Sequence, residues 1–374
     1  IDACLVGSEM CIRDRLAAVP KLGSMKGKLL PAKFMNVDIN GSDNKQIKKV
    51  TQNKIIEIKD TVNRVSKPLL QVRGLTTRFS IKQDFGSKKG NIHAVENIDL
   101  SLQPGETFGL VGESGCGKST TGRSIIGLTT PTRGSVVFEG VELTSLNNKE
   151  MIKYRKQMQM IFQDPFASLN PRMTVGQIIA EPILVHGLDE KLESNEKVLQ
   201  LLNRVGLNEQ YALRFPHELS GGQRQRIGIA RALALEPKLI IADEAVSALD
   251  VSIQAQVVNL MMELQEEFGL SYLFISHDMA VIERVSHRIG VMYLGEIVEI
   301  GLRSEIFENP QHPYTKKLMA AVPIADPSKR KTELNLMSDE IPSLLKPYGY
   351  EPDNVEMVQL SEEHFVKPFE GMVN

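Results

Sequence analysis

The sequence predicts an α/β fold built on a parallel sheet. The apolar runs TFGLVG at 107–112, LIIAD at 239–243 and SYLFISHD at 271–278 are short and continuous, as in strands buried on both faces of a sheet. Strands of this kind that alternate with helices indicate a parallel core. Between the last two runs, apolar residues recur at helical spacing, and one apolar helix face is marked by Ile253, Val257, Leu260, Leu264 and Phe268.

Further strands and a helical region surround this core. LLQVRGL from Leu69, HAVENIDLSL at 93–102 and SVVFEG at 135–140 read as strands, and RIGVMYLGEIVEIG at 288–301 predicts a hairpin. Residues 174–234 are mostly helical in pattern, so a helical subdomain of about 164–234 interrupts the core. IIEI at 55–58 is a candidate short strand in an Asn-, Lys- and Asp-rich linker over 36–66.

The composition excludes some classes of function. The 374 residues are 42% hydrophobic and 24% charged, values of an ordinary globular protein. A net charge of −2 offers no basic field for nucleic acid. No apolar run approaches the length of a transmembrane helix. Cys4, Cys11 and Cys116 form no disulfide framework, which fits a reducing compartment.

A phosphate-binding loop follows the first buried strand. GESGCGKS at 112–119 fits GxxxxGK[ST], the Walker A pattern, between a predicted strand and a predicted helix. Its glycines let backbone N–H groups wrap the phosphates. Lys118 would reach the β- and γ-phosphates, and the Ser119 hydroxyl would bind Mg²⁺. The structural alternative is a plain glycine-rich turn.

A second helix start resembles an anion site. Leu219-Ser220-Gly221-Gly222-Gln223 opens a helix with free backbone N–H groups and a positive dipole end. Because the chain already has a phosphate loop, this start is expected to act on a neighbouring subunit's nucleotide. The alternative is an ordinary N-cap by Ser220.

Four further polar residues lie at predicted strand ends. Asp243 could hold Mg²⁺, and Glu244 could polarise water towards the γ-phosphate, although an acidic helix cap is the alternative. Gln163 follows a short apolar strand and could contact Mg²⁺ and the attacking water. His277 could donate a hydrogen bond to the γ-phosphate, although a lone His is often structural.

Together and in this order, these motifs resemble the ATP-binding cassette (ABC) ATPases from about Leu69 to Gly301. The resemblance implies a P-loop NTPase with a RecA-like core, an antiparallel β subdomain and an α-helical subdomain. It implies two cassettes that face head to tail, with each ATP between one phosphate loop and the partner's LSGGQ signature. Closure on ATP and opening after hydrolysis would drive attached membrane subunits.

The resemblance also implies roles for individual residues. Catalysis would use Lys118, Gln163, Glu244 and His277, and Mg²⁺ would bind Ser119, Gln163 and Asp243. An aromatic residue stacks on adenine in the family, and Phe79 is the candidate, with a core Phe as the alternative. The implied ATP-contacting residues are Phe79, Gly112, Glu113, Ser114, Gly115, Cys116, Gly117, Lys118, Ser119, Thr120, Ser220, Gly221, Gly222, Gln223 and the D-loop Asp250.

Two longer segments resemble the ATPases of oligopeptide and dipeptide importers. They are FQDPFASLNPRMTVGQIIAEP at 162–182 and NPQHPYTKKLMAAVP at 309–323. The expected domains are the cassette at 67–305 and a C-terminal extension at 306–374. The expected partners are two permease subunits and, indirectly, a solute-binding protein. The expected place is the cytoplasmic face of a bacterial inner membrane. The alternative is a soluble ABC ATPase acting on ribosomes or DNA, or a regulatory module without turnover.

The N-terminal region carries separate expectations. Residues 1–15 resemble a translated sequencing adaptor and are assigned as non-native, with a genuine short helix as the alternative. LAAVP at 16–20 returns as MAAVP at 319–323. Residues 16–66 are therefore expected to be the tail of a preceding cassette and a linker, which would make this chain the second half of a fused two-cassette protein.

The sequence departs from the subfamily at two places. Ala245 stands where Pro is usual, which should loosen the loop slightly. Gly349-Tyr350 stands where some relatives have Gly-Cys, and no Cys follows Cys116, so no iron–sulfur centre is expected. Cys116 in the phosphate loop predicts inhibition by thiol alkylators and protection by ATP.

Overall fold

A computed structural model describes residues 62, 67–81, 90–187, 191–321, 344–353, 355–369 and 372, all within the unit formed by residues 56–374. The expectations for 1–15, for 16–66 apart from Val62, and for the strand at 55–58 lie outside these residues. The strands are β1 (Leu70–Ile81), β2 (Gly90–Leu102), β3 (Thr107–Val111), β4 (Arg133–Phe138), β5 (Val141–Glu142), β6 (Met158–Ile161), β7 (Leu239–Asp243), β8 (Ser271–Ser276), β9 (Arg288–Tyr293), β10 (Glu296–Leu302), β11 (Leu345–Pro347), β12 (Val358–Gln359) and β13 (Phe365–Val366). The helices are α1 (Lys118–Ile125), α2 (Asn148–Gln157), α3 (Pro165–Ser168), α4 (Val175–Val185), α5 (Lys191–Arg204), α6 (Gly221–Leu233), α7 (Val251–Phe268), α8 (Met279–Val285), α9 (Arg303–Glu308) and α10 (Pro313–Ala320).

A mixed sheet carries the core, in the order β12-β13-β10-β9-β3-β8-β7-β6. The strands from β9 through β3, β8 and β7 to β6 run parallel, so their carboxyl ends meet at one edge. Every residue of β3, β7 and β8 is buried, as the continuous apolar runs predict. The predicted hairpin at 288–301 is the antiparallel pair β9 and β10.

The two faces of this sheet pack against different cores. Side chains alternate across a strand, so neighbours in β7 point to opposite faces. Ile240 and Ala242 join the core formed with the helical region, whereas Leu239 and Ile241 join the core beneath the second sheet. The parallel sheet therefore lies between the helical region and the second sheet.

The second sheet has the order β11-β2-β1-β4-β5, and its pairs are antiparallel. Two of its strands are longer than the sequence predicts. β1, predicted from Leu69, runs on to Ile81, and β2, predicted at 93–102, begins at Gly90. β1 bulges against β4 between Arg73 and Thr76. This sheet confirms the antiparallel β subdomain of the expected cassette fold.

The helical region contains α3 to α6, joined before α6 by two 3₁₀ turns at Glu209–Leu213 and Pro216–Glu218. A capping box with Thr174 and Gln177 starts α4, and another with Ser220 and Gln223 starts α6. These elements agree with the helical region predicted from the sequence. Its boundaries as a subdomain stay a prediction.

One residue of the predicted α7 face is exposed. Val257, Leu260 and Leu264 are buried, but Phe268 is 46% exposed. Phe268 is the last residue of the helix, and Gly269 follows in a left-handed conformation at φ 65° that ends it. The Phe268 ring instead lies 5.1 Å from the Arg204 guanidinium carbon. Phe268 therefore lies at the exposed end of the predicted apolar face.

The C-terminal segment returns to both sheets. β11 adds to the second sheet beside β2, and β13 adds to the parallel sheet's edge beside β10. α9 runs across the predicted domain boundary at 305/306. Among the described residues, no helix has both the length and the apolar character needed to span a bilayer.

Gly134 and Gly140 provide a matched test of the bulge. Both have left-handed φ, at 92° and 81°. A Cβ on Gly134 would lie 2.4 Å from the Gly74 carbonyl oxygen, whereas a Cβ on Gly140 would meet nothing within 4 Å. We expect Gly140→Ala to cost about 1 kcal/mol of unfolding free energy and Gly134→Ala about 1–3 kcal/mol more. Denaturant unfolding measures both, and equal costs would contradict the bulge contact.

Candidate functional site

The phosphate loop joins β3 to α1 in a conformation that glycine permits. Gly117 caps α1 with φ 109°, and a Cβ there would lie 2.0 Å from the Ala94 carbonyl oxygen. Any other residue would displace β2 from the loop. Glu113, Ser114, Gly115 and the other loop residues precede α1, and Thr120 lies in its first turn. The N-terminus of α1 therefore faces the loop with its positive dipole end.

Lys118 is the buried charge of this loop. Its side chain is 3% exposed, and its ammonium donates to the carbonyls of Gly112 at 2.8 Å and Glu113 at 2.7 Å. Cys116 Sγ lies 3.8 Å from the same nitrogen. The loop thus curls around its own lysine and holds a positive charge where a phosphate would bind.

Asp243 lies at the end of β7 and is fully buried. Its Oδ1 accepts a 2.6 Å hydrogen bond from Ser119 Oγ, while the Arg123 guanidinium stands 3.9 Å from Oδ2. Burial raises the pKa of this carboxyl, and the Ser119 hydrogen bond partly offsets that rise. Oδ2 is buried and accepts no hydrogen bond. A hydroxyl beside a carboxylate with an unsatisfied oxygen fits the oxygen ligands that Mg²⁺ prefers.

Glu244 brings three predicted residues together. Its Oε2 accepts a 2.6 Å hydrogen bond from Gln163 Nε2, and its Oε1 lies 3.3 Å from His277 Nδ1. Gln163, Glu244 and His277 follow β6, β7 and β8, whose parallel carboxyl ends explain the meeting. This cluster speaks against the reading of Glu244 as a helix cap.

The Glu244 backbone is held in a rare conformation, with φ at 47°. Its N–H donates to the Ile275 carbonyl, and its carbonyl accepts from the Ser247 hydroxyl at 3.0 Å. Ala245, in place of the usual proline, is buried. Main-chain hydrogen bonds therefore close this loop without a proline. Such strain often marks a functional position.

The signature residues form a capping box at the start of α6. Ser220 Oγ accepts from the Gln223 N–H, Gln223 Oε1 accepts from the Ser220 N–H, and Gln223 Nε2 donates to Tyr211. The ordinary N-cap interpretation is thus present in the structure. A Cβ on Gly222 would lie 2.4 Å from Ile253 Cγ2, so this glycine permits close packing on α7. No hydrogen bond among the described residues joins 220–223 to the phosphate loop of the same chain.

The structure distinguishes the two interpretations of Phe79. Its side chain is 43% exposed, so Phe79 is not a core residue. It pairs with Ile92 of β2, the strand whose Ala94 abuts Gly117. Its role at adenine stays a prediction. Asp250 is exposed at the start of α7, and its side chain makes no capping hydrogen bond.

Two residues of the site were not singled out from the sequence. Arg123 lies one helical turn beyond Ser119, so the i,i+4 spacing could have placed it on the same face. The Tyr314 hydroxyl oxygen accepts a 3.0 Å hydrogen bond from the Glu113 N–H. In the sequence, His312-Pro313-Tyr314 marks the start of the C-terminal extension. No feature of the sequence indicates that Tyr314 contacts the phosphate loop.

This arrangement on this fold is that of an ABC-type ATPase. Residues 95–247 match the family model described as ABC transporter, and residues 298–349 match that described as Oligopeptide/dipeptide transporter, C-terminal region. The chain therefore belongs to the ABC transporter ATP-binding cassettes and carries the C-terminal region of the oligopeptide type.

Individual relatives agree with this class. "Glutathione import ATP-binding protein GsiA" of Pectobacterium atrosepticum is 54% identical over 352 residues, which are 94% of this chain and 55% of the relative. The protein of the same name from Salmonella paratyphi A is 52% identical over 354 residues, or 94% and 55%. The chain thus spans about half the length of the curated relatives it matches.

A solved structure confirms the fold. The ATP-binding cassette MJ0796, in a dimeric post-hydrolysis state bound to ADP and Pi, is 29% identical and has a TM-score of 0.56. The similarity covers 63% of this chain and 98% of that one. ATP binding by the cassette follows from this family.

Cys116 provides a test of the loop's burial. It is 5% exposed, and burial raises its pKa while Lys118 opposes that rise. Only the thiolate is alkylated, so we expect slow labelling at pH 7 that accelerates up to and beyond pH 9. Mass spectrometry of the Cys116 peptide measures the rate.

The unfolded chain in denaturant is the control, and it should label faster at pH 7. Equal rates would contradict the burial of this thiol. We also expect labelled protein to lose ATPase activity and bound ATP to slow labelling, because Sγ lies beside the Lys118 ammonium.

Proposed function

We propose that this chain binds and hydrolyses ATP to power the import of peptides, or of related small solutes such as glutathione or nickel. The observation that carries the proposal is the position of Glu244, held by Gln163 and close to His277, directly after the Asp243 that bonds Ser119 of the phosphate loop. The relatives are named for glutathione import, and the oligopeptide-type C-terminal region supports a peptide-like solute.

The residues divide the chemistry among them. Lys118 and the loop N–H groups hold the β- and γ-phosphates, and Glu244 orients and polarises the attacking water. His277 donates to the γ-phosphate, and Phe79 stacks on adenine. Ser119, Asp243 and the amide oxygen of Gln163 would hold Mg²⁺, which supplies charge neutralisation for the phosphates when bound. Gln163 thereby links the cation site to Glu244.

A second cassette completes each ATP site in this proposal. Ser220, Gly221, Gly222 and Gln223 would contact the partner's nucleotide, together with Asp250. The dimeric state of the MJ0796 cassette supports this arrangement, as does the absence of described hydrogen bonds between 220–223 and the phosphate loop. The LAAVP repeat and the length of the relatives favour another cassette on the same polypeptide, rather than a second copy, as the partner.

The upstream reading frame tests the fused arrangement. A second GKS and LSGGQ set encoded before this segment would support it. An upstream sequence without that set would contradict it and leave a separate cassette as the partner. Neighbouring genes for two permeases and a secreted solute-binding protein would support the importer itself, placed on the cytoplasmic face of the inner membrane.

A groove beside Gln163 is the proposed contact for the permease. It has a volume of about 640 Å³ and lies between the parallel sheet and the helical region. Its apolar lining includes Leu128 and Phe162, and its charged lining comprises Arg123, Arg155 and Arg231 against Asp164. This charge balance suits a short permease helix with apolar and acidic side chains. Gln163 also lines the groove and donates a hydrogen bond to Glu244, so a permease helix bound there would lie next to a residue that holds Glu244.

Replacing Glu244 tests the catalytic assignment. We expect Glu244→Gln to retain ATP binding and to lose at least about 100-fold in turnover, because the amide cannot act as a base. If two separate copies form the pair, the variant should also accumulate the closed pair with ATP, which light scattering detects. Glu266→Gln, at an exposed position on α7, is the matched control and should hydrolyse normally. Normal turnover by the Glu244 variant would show that the assignment is wrong.

Replacing Leu128 tests the groove. This side chain is exposed at the groove lining. We expect Leu128→Glu to leave the basal ATPase rate of the isolated protein unchanged while solute uptake in proteoliposomes falls at least about tenfold, as for a charge buried at an interface. Leu213→Glu, at an exposed position outside the groove lining, is the control. Normal uptake by the Leu128 variant would place the permease elsewhere.

A further inference from the structure

Tyr314 joins the C-terminal region to the phosphate loop. It lies in the first turn of α10, and its side chain is 6% exposed. Its hydroxyl oxygen accepts a 3.0 Å hydrogen bond from the backbone N–H of Glu113. The two residues are 201 positions apart in the chain, so the contact belongs to the tertiary fold.

The residue held by Tyr314 also holds the catalytic lysine. The Glu113 carbonyl accepts from Lys118 Nζ at 2.7 Å and from the Cys116 N–H at 3.3 Å. Glu113 is therefore fixed on both sides, with its N–H on the C-terminal region and its carbonyl on the loop. If Glu113 turned, Lys118 would lose one of its two carbonyl partners.

Local contacts fix the Tyr314 ring. It packs against Tyr293 at the end of β9, with ring centroids 4.3 Å apart. His312 caps α10 by accepting from the Tyr314 N–H at Nδ1, and Pro313 occupies the first helical position. The His-Pro-Tyr sequence thus sets both the start of the helix and the direction of its tyrosine.

A buried carboxylate anchors this helix start to the parallel sheet. Glu299 of β10 is fully buried and accepts from the N–H groups of Gln311 at 2.8 Å and His312 at 2.9 Å. His364 Nε2 lies 2.8 Å from the same carboxylate. A buried carboxylate needs such partners, so Glu299 holds the segment before Tyr314 and the segment before β13 in one place.

We propose that Tyr314 is a positioning residue for ATP binding, through which the C-terminal region sets the shape of the phosphate loop. This proposal rests on the proposed function and adds to it that the C-terminal extension contributes to the affinity for ATP. A loop already held in its binding conformation loses less conformational freedom when a phosphate binds, and this strengthens binding. Tyr314 touches no substrate and acts through Glu113 and Lys118.

The test removes only the hydroxyl. We expect Tyr314→Phe to raise the Kd and the KM for ATP about 3–10-fold, the loss typical of one hydrogen bond. The turnover number should change less than about twofold, because bound phosphates reorder the loop. The melting temperature should fall by no more than about 5 °C, since one hydrogen bond is lost while the ring stays packed on Tyr293. Binding of a fluorescent ATP analogue to the full chain gives Kd without requiring transport.

Tyr272→Phe is the matched control. Tyr272 is a buried tyrosine of β8 whose hydroxyl has no hydrogen-bond partner in the structure. Its loss should leave the Kd for ATP unchanged. An unchanged Kd in Tyr314→Phe, or an equal rise in both variants, would overturn the proposal. If the wild-type chain bound ATP without hydrolysing it, the proposed function would fail while the effect of Tyr314 on Kd could still be measured.

A double variant tests the route through Glu299. The amide of Glu299→Gln has one acceptor oxygen in place of two, so α10 should be held less firmly and the Kd for ATP should rise. In the combination with Tyr314→Phe, the rise should be smaller than the product of the two single rises, because both act on one contact. A full product would show that Glu299 acts independently of Tyr314.

Discussion

The structure depends on the burial of one carboxylate, that of Asp243 at the end of β7. A charge removed from water is costly unless a polar group meets it, and the Ser119 hydroxyl does so at 2.6 Å. This bond fixes the first turn of α1 against β7, although α1 follows β3 in the chain. Because β6, β7 and β8 are parallel, the same edge then places Gln163 and His277 within reach of Glu244. The glycines of the loop and the left-handed Glu244 backbone are the local adjustments that this meeting requires.

The charges of the site are held by the chain itself. The Lys118 ammonium rests on main-chain carbonyls, whereas Glu244 rests on an amide and an imidazole. In the described part of the chain, Lys118 and Glu244 form no ion pair with each other. The signature differs in this respect, because its Ser220 and Gln223 satisfy each other and the nearby Tyr211. The phosphate loop and the Glu244 cluster are thus arranged around buried ionisable groups, whereas the signature presents an uncharged helix start.

Much of the fold and the site could be predicted because the signals are local. Continuous apolar runs identify β3, β7 and β8, and the phosphate loop, the Asp243-Glu244 pair and His277 lie at the ends of these strands. Other features depend on distant contacts. Phe268 has the right spacing for the core, but the helix ends there and Arg204 covers the ring. β12 and β13 have two residues each and carry no periodicity. The Tyr314 contact spans 201 positions, and only the folded chain shows it.

The close packing of Gly222 on Ile253 affects how the helices α6 and α7 can move. Because Ile253 Cγ2 lies 2.4 Å from where a Gly222 Cβ would be, α6 packs closely on the start of α7. Ser220 and Asp250, the residues a neighbour would meet, therefore travel together. Only five residues separate Asp250 from Glu244. In the proposed cassette pair, a shift of Glu244 at one nucleotide would thus be transmitted through residues 245–249 to the surface proposed to meet the other nucleotide. The two proposed ATP sites would therefore be mechanically coupled.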